Sequence, residues 1–307
     1  MKNLILLVVF LITATCAAQN KKFDKIIKKY DVIECVKDLD NNRPELFWDA
    51  VYRNNETFNK LCDAVKKKKT SAVAAQKDLR DASLYSSIYY DNLQIDEELQ
   101  EIADTLIKFV GIKEIYPDIK PYVVYSTEVN AYCCPDGRIY LTDRLLMRNS
   151  ITFEGLVGIC AHETTHFLLQ HSLAEAYSYR KKENRNKLMA GIVSAVNVVA
   201  NAYAQANGAA NEESWDNVNK MIENNVMWVG DNALKYRYKY SREQEIEADI
   251  IAYRFLEWLG IGGVNYINAL KSIGYDNDIL YDDTSDHPTT KFRAELLEYL
   301  ANKTKCK

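Results

Sequence analysis

One five-residue stretch, HETTH at 162–166, constrains the fold of this chain more than any other part of the sequence. It matches the pattern H-E-x-x-H, and on a helix positions i and i+4 lie one turn apart on the same face. The imidazoles of His162 and His166 can therefore hold one zinc ion, with Glu163 placed to accept a proton from water. The pattern predicts a metal-binding helix with Ser150 as its N-cap. On the motif alone, two histidines that merely pack or face solvent remain the alternative.

The composition is that of an ordinary globular protein and narrows the classes of function. Apolar residues make up 48% of the 307 residues and charged residues 27%. The formal net charge of -4 provides no basic surface of the kind that nucleic acids require. Eleven glycines and five prolines are few for this length, which favours helices. We therefore predict a predominantly helical protein that does not bind nucleic acid.

Residues 1–18 have the pattern of a secretory signal peptide. Lys2 supplies a positive charge, residues 4–12 are apolar, and small residues lead to an expected cleavage site after Ala18. The apolar run is too short to span a bilayer. We therefore expect export to a bacterial periplasm or cell envelope, with a lipid anchor on Cys16 as the alternative.

The rest of the chain is expected to form two parts. Residues 19–94 carry apolar side chains at helical intervals and predict an accessory helical segment, in which the lysines at 66–69 face solvent. Residues 95–307 would form the domain that contains the metal site. Within it, the apolar run at 188–200 falls short of the roughly twenty residues that cross a bilayer and predicts a buried or site-covering helix.

A small sheet is predicted directly before the histidine helix. An amphipathic helix at 97–110 ends at Gly111, and residues 122–125 have strand character. The turn sequence at 135–137, Pro-Asp-Gly, predicts a hairpin between two further strands. The fold class is therefore α+β, predominantly α. An exposed edge of this sheet could pair with an extended peptide, or the strands could only cover the core.

A third metal ligand is predicted in the segment 241–249. Helical spacing places Glu245 and Asp249 on an apolar, inward stripe, where a carboxylate is costly unless it is paired or binds a metal. Zinc is the expected partner of Glu245, and the N–H of a ligand histidine that of Asp249. An internal salt bridge to Arg242 or another cation is the alternative. The remaining charged residues of this helix are expected to face solvent, namely Glu243, Glu247, Arg254 and Glu257.

The segment 286–293, DHPTTKFR, is the third element of the predicted site. Pro288 suits the start of a helix whose inward face carries Arg293 beside several leucines. The guanidinium of Arg293 could stabilise the oxyanion of a tetrahedral intermediate or neutralise a buried acid. His287 could be an additional metal ligand or a proton donor, although an isolated histidine here is more often an ordinary loop residue.

Together, the motifs AHETTH, SREQEIEAD and DHPTTKFR, in this order, resemble those of the HtpX-like and BepA-like gluzincin peptidases (peptidase family M48). The segment VNAYCCPDGRIYLTDRLL resembles the edge strand of that family, and the resemblance covers roughly residues 95–300. It implies a zincin-like domain with one zinc ion on His162, His166 and Glu245, and with Glu163 as general base and acid. It also implies that Asp249 is an outer partner of a ligand.

The same resemblance makes His287 an additional or regulatory ligand and Arg293 a contact for the substrate or the intermediate. A histidine at the position of His171 follows the zinc helix in many members. We expect no ligand role for His171, because on a continuous helix it would lie on about the face opposite His162.

The predicted reaction is zinc-dependent endoproteolysis of unfolded or misassembled envelope proteins. The main alternative is a latent peptidase that acts as a chaperone or assembly factor, with His287 or residues 188–210 closing the site. A zinc hydrolase that does not cleave peptides is a weaker alternative. The expected partners are unfolded or extended polypeptides, with contact to a membrane surface or to outer-membrane assembly machinery as a further interpretation.

Overall fold

The computed structural model describes residues 18–90, 96–127, 129–185, 241–277 and 288–305. The predicted signal peptide up to residue 17, the apolar run at 188–200 and His287 therefore lie outside the described residues. The chain divides into two compact units, and the described residues of the first fall within 1–59, 92–171 and 240–307. Those of the second fall within 60–91 and 172–239. This division differs from the predicted boundary between residues 94 and 95.

The first unit begins with helices from the segment that was predicted to be accessory. They are α1 (18–30), α2 (Ile33–Val36) and α3 (Pro44–Asn54). Helix α4 (Glu56–Lys66) follows them, and from residue 60 onward it belongs to the second unit. The predicted helical character is confirmed. Their apolar side chains, including Phe47 and Trp48, are buried in the same hydrophobic core as the helix that carries the HETTH motif. Residues 18–54 are therefore an integral part of the first unit.

Helix α5 (Thr70–Tyr90) belongs to the second unit, and α6 (Glu97–Val110) leads into the predicted sheet of the first. The side chain of Asp96 caps the start of α6, and Gly111, with φ 74°, ends it in the left-handed conformation that glycine adopts without strain. After a 3-10 turn (Ile112–Glu114) come β1 (Lys120–Val124), β2 (Ala131–Cys133) and β3 (Arg138–Thr142). The strand order is β1-β3-β2, with β1 parallel and β2 antiparallel to β3, so the hairpin prediction is confirmed.

The short helix α7 (Asp143–Leu146) precedes α8 (Phe153–Leu168), which carries the HETTH motif. The N-cap of α8 is Thr152, whose side chain accepts a hydrogen bond from the backbone N–H of Gly155. The prediction of Ser150 was wrong because the helix begins two residues later than the apolar pattern suggested. Nearly every residue of α8 is buried, so its two histidines lie in the interior of the unit.

Three helices complete the first unit: α10 (Arg242–Trp258), α11 (Val264–Asn277) and α12 (Thr290–Lys305). Helices α10 and α11 pack on α8, and α12 packs on both of them. A capping box between Ser241 and Gln244 starts α10. The prediction that Glu247 and Arg254 face solvent was wrong, because both are buried. Arg254, for example, forms two hydrogen bonds with the carboxylate of Asp31 beside the N-terminal helices.

The second unit contains α5 (Thr70–Tyr90) and nearly all of helix α9, which spans residues 171–185 and belongs to this unit from residue 172 onward. Arg180 forms two hydrogen bonds of 2.6 Å with the carboxylate of Asp78, and Leu61, Ala75 and Leu173 form a small apolar cluster. The lysines at 66–69 are exposed, as predicted. Within the described ranges, no helix combines the length and the apolarity that a bilayer crossing requires.

We expect Gly158→Ala to lower the free energy of unfolding by about 1–3 kcal/mol, because it overpacks the contact between α8 and α11. A Cβ atom at position 158 would lie 2.8 Å from two carbons of the Tyr266 side chain. Denaturant unfolding measures the change. Gly155→Ala is the comparison on the same helix: its new Cβ would meet its nearest neighbours at 3.1 Å, so it should lower the free energy of unfolding by less. An unchanged unfolding midpoint for Gly158→Ala would contradict this close approach.

Candidate metal centre

Three buried side chains from two helices converge in the interior of the first unit. His162 and His166 lie one turn apart on α8, and their Nε2 atoms are 3.1 Å from each other. Glu245, in the first turn of α10, places Oε2 3.6 Å from His162 Nε2 and Oε1 3.5 Å from His166 Nε2. One ligand atom from each residue lies within 4.8 Å of the other two, which is the spacing of a candidate metal site. The structure thus brings together the three residues that the sequence proposed as ligands.

The spacing of these atoms fits a first-row metal ion. Zinc–nitrogen and zinc–oxygen distances of about 2.0–2.2 Å in a tetrahedron correspond to ligand atoms roughly 3.3–3.5 Å apart. The two Nε2 atoms are 3.1 Å apart, and each lies 3.5 or 3.6 Å from an oxygen of Glu245, a different oxygen for each histidine, so the separations are close to that value. Two imidazoles and one carboxylate would also leave a coordination position open, which is typical of catalytic metal sites.

Two groups contact the Nδ1 atom of His162. Its Nδ1 atom lies 3.1 Å from Asp249 Oδ1 and 3.0 Å from the hydroxyl of Tyr266, which itself donates to Asp249 Oδ1 at 2.7 Å. A carboxylate at Nδ1 selects the tautomer that leaves Nε2 available to a metal. Sequence reasoning missed Tyr266, because an aromatic residue at helical spacing is indistinguishable from an ordinary core residue.

Arg293 neutralises the carboxylate of Asp249. Its Nε and Nη2 atoms donate to the two oxygens of Asp249 at 2.7 and 2.6 Å, and its Nη1 lies 3.7 Å from Glu245 Oε2. Burial alone would raise the pKa of Asp249, but the charge of Arg293 and the hydrogen bonds lower it overall. Of the two sequence-based alternatives for Arg293, pairing with a buried acid is therefore the contact present. A contact with substrate remains a prediction.

Two buried carboxylates lie beside the histidines. Those of Glu245 and Asp249 are both buried, and Arg293 pairs with Asp249 and lies 3.7 Å from Glu245. A buried carboxylate is costly unless it is paired or binds a metal. A divalent ion held by His162, His166 and Glu245 would give the carboxylate of Glu245 a direct cationic partner.

The two candidate ligand histidines have opposite pKa shifts. Burial acts to lower the pKa of His162, but hydrogen bonds to Asp249 and Glu245 outweigh it and raise the pKa to about 9. Burial lowers the pKa of His166 well below its ordinary range. The carboxylate of Asp249 at Nδ1 accounts for much of the difference, because it favours a cationic ring at His162.

Glu163 lies between the two histidines in the sequence and faces the sheet. Burial raises the pKa of its carboxyl group to about 7, although a hydrogen bond from the backbone N–H of Cys133 in β2 opposes this shift. A carboxyl group that titrates near neutrality can both accept and release a proton under physiological conditions. The side chain is therefore suited to general acid–base chemistry beside the edge strand.

The prediction that His171 lies on the face opposite His162 was wrong. Helix α8 ends at Leu168, and Gln170 adopts a positive φ of 52° before the chain becomes helical again at residue 171. This break turns His171 back, so that its Nδ1 lies 2.9 Å from Nδ1 of His166. His287 lies outside the described residues, and its predicted role as a ligand or proton donor stays a prediction.

Comparisons with known proteins agree with this geometry. The family model described as Peptidase family M48 matches residues 93–301, which contain all three candidate ligands. Metalloprotease YcaL from Escherichia coli (strain K12) is 28% identical over 177 residues, covering 57% of this chain and 59% of that relative. The chain thus spans less than two thirds of the relative's length. Because the family match extends over more than half of the chain, the protein belongs to Peptidase family M48.

Proposed function

We propose that this protein is a zinc-dependent metalloendopeptidase. The observation that carries the proposal is the convergence of His162, His166 and Glu245 beside the buried carboxyl group of Glu163. Two histidines and a glutamate are a donor set that catalytic zinc sites use. Family membership and the similarity to a protein named as a metalloprotease support the same activity.

Each residue of the site has a defined task in this reaction. His162, His166 and Glu245 would hold zinc, which would polarise the scissile carbonyl and lower the pKa of water, so that water loses a proton more readily and becomes a better nucleophile. Glu163 would accept the proton of the attacking water and return it to the nitrogen of the leaving amine. The ion pair of Asp249 with Arg293 keeps His162 oriented throughout the cycle.

An extended polypeptide is the substrate that the neighbouring sheet would accept. Strand β2 lies at the edge of the sheet. At its two ends, the N–H of Cys134 donates to the carbonyl of Arg138, and the N–H of Thr142 donates to the carbonyl of Asn130. Because backbone groups alternate in direction along a strand, those of Ala131 and Cys133 point away from β3. A peptide paired with this edge would lie next to Glu163, to which the Cys133 N–H already donates.

The cellular role that we propose is the removal of unfolded or misassembled proteins in a bacterial cell envelope. It rests on the signal-peptide pattern of residues 1–18 and on the resemblance of the site motifs to HtpX-like and BepA-like peptidases. Contact with a membrane surface or with outer-membrane assembly machinery would bring the enzyme to such substrates.

We expect purified protein lacking residues 1–18 to digest casein, and a chelator to reduce this digestion to background because it removes the metal. One equivalent of zinc per chain should restore it, as measured by gel electrophoresis and metal analysis. Cleavage that survives complete removal of metal would contradict a metallopeptidase. Binding of unfolded protein without cleavage, in the wild type and in His287→Ala alike, would support the chaperone alternative instead.

A further inference from the structure

A buried series of contacts extends from His166 away from the metal position. His166 Nδ1 lies 2.9 Å from Nδ1 of His171, and His171 Nε2 lies 3.5 Å from Oε2 of Glu247. The other oxygen of Glu247 accepts a hydrogen bond of 2.7 Å from Nδ2 of Asn55. The side chain of Gln244 also donates to the backbone carbonyl of His171 at 3.2 Å, which holds that residue in place.

If His166 binds a metal through Nε2, only one arrangement of protons gives each hydrogen bond in this series a donor and an acceptor. The proton of the neutral ring must then be on Nδ1, which donates to Nδ1 of His171. His171 must in turn carry its proton on Nε2, which lies 3.5 Å from Oε2 of Glu247. Asn55 contributes an N–H donor to the second oxygen of that carboxylate, so both oxygens of Glu247 have a partner.

We propose that His171 and Glu247 are positioning residues that orient His166 for metal binding, and that Asn55 links them to the N-terminal helices. The inference rests on the proposed function, because it assumes a metal on His162, His166 and Glu245. It assigns a purpose to two residues that helical spacing alone placed only on a face of a helix. The two ligand imidazoles would thus be oriented by different groups, a carboxylate at His162 and a second imidazole at His166.

The position of Asn55 gives the N-terminal segment a direct connection to the site. Asn55 lies between α3 and α4, outside the residues that match the family model. Its Oδ1 accepts the N–H of Phe58 at the start of α4, while its Nδ2 donates to Glu247. The side-chain amide of Asn55 therefore both caps the start of α4 and completes the polar series that begins at His166.

The experiment measures the apparent dissociation constant for zinc by competition with a chelating indicator, using the full mature chain. We expect His171→Phe to weaken zinc binding by about 10–100-fold, the range typical for loss of an outer partner. His171→Asn should lose less, because its amide oxygen can still accept from Nδ1 of His166. Glu247→Gln and Asn55→Asp, which keeps the acceptor at the start of α4, should each weaken binding by roughly tenfold.

Glu243→Gln is the matched control, because Glu243 lies on the same helix as Glu247 but is exposed and paired with Lys29. It should bind zinc like the wild type. The visible spectrum of the cobalt-loaded protein at saturating metal provides a second readout, and it should change in His171→Phe but not in Glu243→Gln. If His171→Phe fails to fold, the His171→Asn and Glu247→Gln variants carry the same test.

Wild-type affinity and an unchanged cobalt spectrum in the His171 and Glu247 variants would overturn this inference. The proposed function would still stand in that case, provided that Glu245→Gln loses zinc. Absence of zinc binding by the wild type would instead contradict the proposed function, and with it the premise of the inference. The two failures are therefore distinguishable.

Discussion

Replacement of Glu163 by glutamine will lower kcat for peptide hydrolysis by about 10²–10⁴-fold, the range that a positioned general base contributes. The amide has nearly the same shape as the carboxyl group but cannot accept and return the proton. Because burial raises the pKa of Glu163 to about 7, the wild-type side chain is poised to do both near neutral pH. A quenched-fluorescent peptide gives kcat, and elemental analysis gives bound metal.

The metal content of this variant should equal that of the wild type, because Glu163 is not among the three converging ligands. Glu154→Gln, in the first turn of the same helix, is the control and should retain wild-type kcat. Near-normal turnover in Glu163→Gln would refute its role as the base. Loss of the metal in that variant would mean that Glu163 contributes to the metal site itself.

The second large effect is expected at Glu245. Glu245→Gln removes the anionic ligand and should weaken zinc binding by more than the roughly 10–100-fold that loss of an outer partner costs, with loss of peptidase activity. The fold should persist, since Arg293 keeps its two hydrogen bonds to Asp249 and retains a partner for its buried charge. Equilibrium dialysis with zinc and far-ultraviolet circular dichroism measure the two properties separately.

Glu243→Gln again provides the comparison on the same helix, and it should keep both zinc and activity. If Glu245→Gln retains one tightly bound zinc per chain, this carboxylate is not the third ligand. Such a result would leave the HETTH helix as a metal-binding element but would require another acid to complete the site.

Features that depend on local periodicity could be predicted from the sequence alone. The spacing of His162 and His166 defines one helix face, and the inward stripe with Glu245 and Asp249 follows from the same helical repeat. The turn at Pro135, which leads to a left-handed Gly137, predicted the hairpin that the structure contains. These features need no knowledge of distant parts of the chain, because they follow from backbone geometry within one element.

Other features depend on what packs against each element, and only the tertiary structure decided them. Helix α10 is covered on more than one side, so Glu247 and Arg254 are buried although helical periodicity predicted exposure. Tyr266 reaches Asp249 from a separate helix. The N-terminal helices share the core of the site, which no motif in them indicated.

The break after α8 illustrates the same limit most directly. A positive φ at Gln170 turns His171 towards His166, whereas a continuous helix would have carried it to the other side. The sequence by itself determined which residues could bind a metal, because ligand chemistry and helical spacing are local properties. Which groups orient those ligands was decided by the tertiary structure, because hydrogen bonds between separate helices depend on how the whole unit packs.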